Sequence, residues 1–315
     1  MGHDVGVSVI SARGLSMVFG SQRALDALDV EVPSGVTGLV GANGAGKTTF
    51  MSIVLGLRSP TTGEVSVLGL DPLRQGAELR ARVGYGPERN VFPDDMPASD
   101  FVKHLAEVRG MPRSEARSRA SDALWLVGLG EERFRALGTM STGQRQRVKL
   151  AQAIAADPSL ILLDEPTDGL DPVQRDQMLA LIKQISDEYR IDVMLSSHLL
   201  EEVERICDNV VALDAGRLVA QGRLADLIGE VEGVTVELTE IPDVAGSIAL
   251  VADRLRGLGL EVRHDLDSAV MDVLGGSADA IADAVRDVIA DCGARVRRIE
   301  QRRRRLEDLF EVVGR

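Results

Sequence analysis

Residues Gly41-Ala42-Asn43-Gly44-Ala45-Gly46-Lys47-Thr48 fit the pattern G-x-x-x-x-G-K-[ST]. The chemistry served by this spacing is phosphate binding. Glycines let the backbone turn its N–H groups toward an anion, and a following helix adds the positive end of its dipole. Lys47 is then placed to reach the β- and γ-phosphates of a nucleotide, with the Thr48 hydroxyl on Mg2+ and Thr49 near the α-phosphate. The chain holds only four lysines, at 47, 103, 149 and 183, so a chance match is rare. A second pattern lies downstream. Leu160–Leu163 is an apolar run ending in Asp164-Glu165. A carboxylate at a strand tip beside a phosphate loop holds Mg2+, directly or through water, and the adjacent Glu165 is set to deprotonate an attacking water. Alone, such a run is an ordinary strand leaving a core; beside the loop it is a candidate catalytic pair.

These side chains need a framework that brings strand ends together. Residues 36–41 read as a buried strand entering the Gly-rich turn, and Asp192–Leu195 resembles Leu160–Leu163. Between the latter two, Met178, Leu181, Ile182 and Ile185 fall at helical spacing. Strand–helix–strand series of this kind predict an α/β fold with a parallel sheet and a site at the strands' carboxyl ends. Residues 5–10 and 26–32 are expected in an antiparallel β layer, and residues 98–136 in an inserted helical subdomain. After about Gly229 the pattern restarts. A strand (234–238), a helix with Ile248, Val251, Leu255 and Leu258 on one face, and strands at 260–263 and 269–274 are expected. A helix capped by Ser277, with Ile281, Val285, Val288 and Ile289 inward, and a strand near 295–299 complete a βαββαβ, ferredoxin-like order. A final helix has Leu306, Leu309, Phe310 and Val313 on one stripe. The expected division is residues 1–230, with the insertion at about 90–140, and a small domain at 231–315.

Charge and composition narrow the function further. Of 315 residues, 36 are Lys or Arg and 49 Asp or Glu, for a formal charge of −13. Such an acidic chain is a poor general nucleic-acid binder. The run Arg302–Arg305 is read as a solvated helix start paired with nearby acids, since residues 232–315 carry 12 basic and 17 acidic groups. Residues 32–46, the longest uncharged stretch, are too few and too Gly-rich to cross a bilayer, and no signal peptide is visible. A cytoplasmic protein is expected.

Met140-Ser141-Thr142-Gly143-Gln144, with its Ser 23 residues before Asp164, resembles the LSGGQ signature of ABC transporter ATP-binding subunits. With the two patterns above, the resemblance spans most of residues 1–225 and implies a P-loop ABC ATPase core. It also implies that Ser141, Gly143 and Gln144 complete the nucleotide pocket of a second copy in an ATP-sandwich dimer, and that the loop glycines 41, 44 and 46, with Asn43 and Ala45, cradle the phosphates. Phe19-Gly20 matches the loop whose aromatic stacks on adenine, a Phe in the β-layer core being the alternative. Asp168-Gly169-Leu170-Asp171 resembles the loop linking the two sites, so Asp171 joins the binding set, and Ser197-His198 matches the switch histidine that contacts the γ-phosphate.

Two positions depart from the family pattern. Glu88 replaces a glutamine expected to approach Mg2+ and water. Thr142 replaces a glycine, and its β-branch resists positive φ. The tail Arg305-Leu306-Glu307-Asp308-Leu309-Phe310 resembles ATPase subunits of bacterial type-two exporters, which work with a separately encoded membrane permease. The implied function is ATP-driven export of a drug, lipid or similar substrate. An importer subunit and a soluble ABC ATPase are the alternatives.

Overall fold

The computed structural model describes residues 8–89, 91–239, 244–265, 269–303 and 305–311. Residues 5–7 of the expected first strand, Arg304 of the basic run and Val313 of the last stripe lie outside these. The described residues divide into two compact units, one through Ala225 together with Leu309 onward, the other Asp226–Asp308.

The first unit opens with β1 (Ile10–Phe19), β2 (Gln22–Val32), β3 (Val36–Val40), α1 (Lys47–Val54), β4 (Thr62–Val67), α2 (Gly76–Arg82) and β5 (Val83–Gly86). Then come α3 (Ala98–Val108), α4 (Arg113–Leu126), α5 (Thr142–Ile154), β6 (Leu160–Asp164), α6 (Pro172–Tyr189), β7 (Asp192–Ser197) and α7 (Leu200–Ile206). It closes with β8 (Asn209–Asp214), β9 (Arg217–Arg223) and α8 (Leu224–Leu227).

The central sheet has the order β5-β6-β7-β3-β8-β9, parallel except for β9. Its inner strands β3 and β6 are buried at every residue, which is why β6 reads as a continuous apolar run up to Asp164. Register decides where chemistry gathers. Val40 lies opposite Ser197 and Asp164 opposite Ser196, so the tips of β3, β6 and β7 end at one level. That is the carboxyl-end crevice expected of an open parallel sheet.

A separate antiparallel sheet, β2-β1-β4, covers α1, and one core joins Leu15, Leu25 and Leu28 to Phe50 and Ile53 of α1 and to Leu39, Leu162 and Met194 of the central sheet. The antiparallel layer differs from the sequence reading in extent. The first long strand runs from 10 to 19, because register shifts after Ala12, Leu15 and Met17 break the alternation by which a strand is recognised. The insertion consists of α3 and α4 packed on α5. Ala98 and Ala106 of α3 and Ala116, Ala120 and Ala123 of α4 are buried, small enough for close helix contact.

The second unit comprises β10 (Glu230–Leu238), α9 (Val244–Gly257), β11 (Glu261–Asp265), β12 (Val270–Leu274), α10 (Ala278–Cys292) and β13 (Val296–Arg303), with α11 (Leu306–Glu311) beginning at its end. Its antiparallel order, β11-β12-β10-β13, is that of a split βαβ. Ser277 caps α10, accepting from the Ala280 N–H, and Ile281, Val285, Val288 and Ile289 are buried as expected. Leu258 is not. The helix ends at Gly257, and a turn through Gly259 at φ +84 leaves Leu258 exposed.

The arginine run is also placed differently. Arg302 lies on β13 rather than at a helix start, and its side chain is buried between Asp272 (2.9 Å) and Asp308 (2.6 Å). Thr235 donates to the same Asp272 at 2.6 Å. The acids expected to pair with the run are there, but they tie the start of α11 to the sheet. Removing the guanidinium leaves two partly buried carboxylates facing each other. Arg302→Ala is therefore expected to lower stability by about 3 kcal/mol, the low end for breaking a buried pair, as read by chemical denaturation.

Candidate functional site

Sterics explain the Gly-rich turn first. A Cβ at Gly41 would lie 2.2 Å from the Leu213 carbonyl oxygen, so the loop leaves β3 only because that position has no side chain. Gly46 caps α1 at φ +105, with the Ala24 carbonyl 2.7 Å from where a Cβ would stand. Lys47, the first residue of α1, is buried. Its Nζ donates to the Gly41 carbonyl at 2.6 Å and lies 3.5 Å from Glu165 Oε1. Thr48 is exposed and Thr49 half-buried on the same turn.

The tip of β6 supplies the acids. Asp164 is buried, and its Oδ1 accepts from Ser196 Oγ at 2.6 Å. The Glu165 N–H donates to that same Ser196 Oγ at 2.9 Å. Glu165 itself has φ +47, the left-handed region that costs a non-glycine residue roughly 1–3 kcal/mol and marks functional sites. This backbone turn brings its carboxylate between Lys47 and His198, whose Nδ1 is 2.9 Å from Glu165 Oε2.

A cavity of about 360 Å³ faces Lys47, Glu165 and His198; Asp164 is buried and does not line it. Of the residues expected in the site, Phe19, Asn43, Gly44, Gly46, Lys47, Thr48, Thr49, Glu88, Glu165 and His198 line it, and Gly41 and Ala45 are buried in its loop. Gln22 and Ala24, which no pattern marked, line it too, as does Asp168 of the loop that resembles the one linking the two sites. Phe19 is 39% exposed with the Arg58 guanidinium 5.2 Å over its ring, so it is a wall of this cavity and not a core side chain.

Glu88 is held through its backbone. Lys149 Nζ on α5 donates to the carbonyls of Pro87 (2.7 Å) and Glu88 (3.1 Å). Burial pushes the Lys149 ammonium down to about 8, against the pull of Asp164, Asp168 and Glu88.

Ser141, Gly143 and Gln144 are elsewhere. They line a separate cavity of about 180 Å³ with Arg147, Leu170 and Gln174. Ser141 and Gln144 form a capping box, each side chain bonding the other's backbone N–H, so α5 starts at Thr142. Thr142 is the first helical residue and needs no positive φ, which removes the strain its β-branch suggested. Asp171 lines neither cavity; its Oδ1 caps α6 through the Gln174 N–H at 2.8 Å.

A third, larger cavity of about 530 Å³ is an apolar groove between the core and the insertion, lined by Leu55, Leu57, Val83, Tyr85, Leu105 and Val108 among others. Burial, with the charges of Asp164 and Glu88, pushes the Tyr85 phenol up to about 12, which keeps it neutral. Among the described residues no helix is long and apolar enough to cross a membrane.

The family model described as ABC transporter matches residues 25–168. The bacitracin transport ATP-binding protein BcrA of Bacillus licheniformis is 34% identical over 215 residues, 68% of this chain and 69% of its own. The daunorubicin resistance ATP-binding protein DrrA2 of Streptomyces coeruleorubidus is 32% identical over 307 residues, 96% of this chain and 93% of its own. Among solved structures, cbiO1 of Clostridium perfringens, part of the ABC transporter complex cbiONQ, superposes with a TM-score of 0.62 at 26% identity. That match covers 69% of this chain and 88% of the other.

Proposed function

This chain belongs to the ABC transporter family as an ATP-hydrolysing, ATP-binding subunit, and we propose that two copies sandwich two Mg-ATP to drive export of a drug, lipid or similar substrate through a separate permease. The observation that carries the dimer is the separation of two half-sites. Lys47, Glu165 and His198 share one cavity, while the Ser141 helix end lies in another. A second copy, facing the first head to tail, would bring its Ser141, Gly143 and Gln144 to the γ-phosphate. Export is supported by the relatives named for bacitracin transport and daunorubicin resistance.

Residues 41–49 would bind the phosphates through backbone N–H groups, with Lys47 on the β- and γ-phosphates and Phe19 against the adenine. Glu165 would accept a proton from water as its oxygen attacks the γ-phosphorus and the bond to ADP breaks. His198 would orient that carboxylate and the γ-phosphate.

The donors suit Mg2+. Thr48 hydroxyl, Asp164 carboxylate and Glu88 are hard oxygens, and among the described residues no three His, Cys, Asp or Glu gather to hold a metal unaided. Such a set fits an ion shared with nucleotide phosphates, whose bound form neutralises charge on the transferring group. We place the ATPase domain at 1–230 and an accessory domain at 231–315, with the protein on the cytoplasmic face of the membrane.

The apolar groove is the proposed seat for a permease helix, because Leu57 and Val108 are 62% and 69% exposed at its rim. Charge placed there disfavours an apolar partner without touching the core. Leu57→Asp with Val108→Asp is expected to keep ATP binding and lose the membrane partner. The test is a pull-down of tagged Glu165→Gln protein from detergent-solubilised native membranes, with and without Mg-ATP. A co-purifying polytopic permease, lost in the double aspartate variant, supports the reading; ribosomes or DNA in its place overturn it.

A further inference from the structure

Glu202, on α7, is 3% exposed and lines none of the cavities above. Its Oε2 accepts two hydroxyl hydrogen bonds, from Thr167 Oγ1 at 2.8 Å and from Ser197 Oγ at 2.7 Å. Its Oε1 lies 3.2 Å from Arg175 Nε on α6, an ion pair. The two donors have telling positions. Ser197 immediately precedes His198, and Thr167 lies two residues after Glu165 and one before Asp168. One carboxylate oxygen therefore holds the hydroxyls of residues near both partners of the 2.9 Å contact between His198 and Glu165.

Packing does not require a charge here. Val203 and Ile206 already bury α7 against the sheet, and an apolar residue at 202 would avoid the cost of desolvating a carboxylate. The hydroxyls would not be drawn to an apolar residue, and the segments carrying His198 and Asp168 would lose their common anchor. Gln146 Nε2 adds a further tie on the same segment, donating to the Asp168 carbonyl at 2.9 Å. Arg175 balances the charge from the first turns of α6, beside the Asp171 cap.

We infer that Glu202 is a positioning residue for hydrolysis, clamping the Ser197–His198 strand end to the Thr167–Asp168 loop so that His198 and Glu165 stay in register. This rests on the assignment of Glu165 and His198 to the reaction. Because Glu202 touches neither cavity, its loss acts on the chemical step and leaves nucleotide binding in place. Misplacing reacting groups by an ångström from a remote change costs rate steeply.

The test uses the full chain and compares wild type, Glu165→Gln, Glu202→Ala, Ser197→Ala, Thr167→Ala and the pairwise combinations with Glu202→Ala. Phosphate release gives kcat and KM, and equilibrium binding of a fluorescent ATP analogue gives Kd. Glu202→Ala is expected to lower kcat at least about tenfold with KM and Kd within about twofold. Ser197→Ala and Thr167→Ala are each expected to lower kcat by a smaller factor. Neither is expected to add a further loss in the Glu202→Ala background, the signature of groups acting through one clamp. If Glu202→Ala fails to fold, the two single hydroxyl variants carry the comparison: Thr167→Ala removes its bond to Glu202 alone, and Ser197→Ala removes its bond to Glu202 together with the one its Oγ accepts from the Leu199 N–H at 3.0 Å. Wild-type kcat in both hydroxyl variants, or losses that simply multiply with that of Glu202→Ala, overturns the inference. Wild-type turnover in Glu165→Gln would instead overturn the assignment of the catalytic pair.

Discussion

Glu165→Gln is expected to bind Mg-ATP as tightly as the wild type and to hydrolyse it about 10²–10⁴-fold more slowly, the range contributed by a positioned general base. The substitution is nearly isosteric. It leaves the left-handed backbone at φ +47, the Ser196 contact to the 165 N–H and an oxygen for His198. What it removes is the carboxylate proposed to take a proton from water. Binding is expected to be spared because the substitution leaves untouched the loop of residues 41–49, which is proposed to meet the phosphates. Phosphate release under single-turnover conditions, alongside nucleotide Kd, checks both halves. Turnover at the wild-type rate would remove Glu165 from the catalytic role.

Lys47→Ala is expected to fail earlier, at binding. The Lys47 ammonium is buried, and it is the cation within reach of both the Gly41 carbonyl and the Glu165 carboxylate. A charge-assisted hydrogen bond is worth about 1.5–3 kcal/mol, so losing one to a phosphate weakens ATP affinity roughly 10–100-fold. The variant also leaves the Glu165 carboxylate facing the phosphates without its neighbouring positive charge, which deepens the loss. Lys47→Arg is not expected to rescue it, since a planar fork does not fit the space of a compact ammonium beside the Gly41 carbonyl. Equilibrium binding and the nucleotide-induced rise in Tm read the effect. An undiminished rise in Tm with ATP in Lys47→Ala would show that the loop is not the phosphate cradle.

Much of this was legible because several constraints are local. The phosphate loop needs glycines at fixed offsets from Lys47, since any Cβ at Gly41 collides with backbone. A buried parallel strand must be apolar on both faces, so Leu160–Leu163 announced itself and its acidic end with it. The inward face of α10 was plain from helical spacing, and Ser277 from its place before the apolar run. Features that depend on pairing were harder to read. The bulges of β1 blurred its period, Leu258 fell past a helix end set by a left-handed glycine turn, and Arg302 looked solvated until β13 laid it between two aspartates.

The amino-acid sequence by itself determined which chemistry is present: a loop for phosphates, an acidic strand tip, a signature at a helix start and a histidine after a strand. Those are short-range patterns, each complete within a few residues. Only the tertiary structure decided how they meet. Strand register brings Ser196 opposite Asp164 and Ser197 opposite Val40, and so sets Glu165 beside His198 and Lys47. It also keeps the Ser141 end of α5 in a cavity of its own and hides Glu202 beneath the site, holding two hydroxyls from distant segments. The contacts of Glu165 with Ser196, His198 and Lys47, and of Glu202 with Thr167, join residues 31 to 118 positions apart, and no pattern along the chain records them, because they follow from the pairing of β3, β6 and β7.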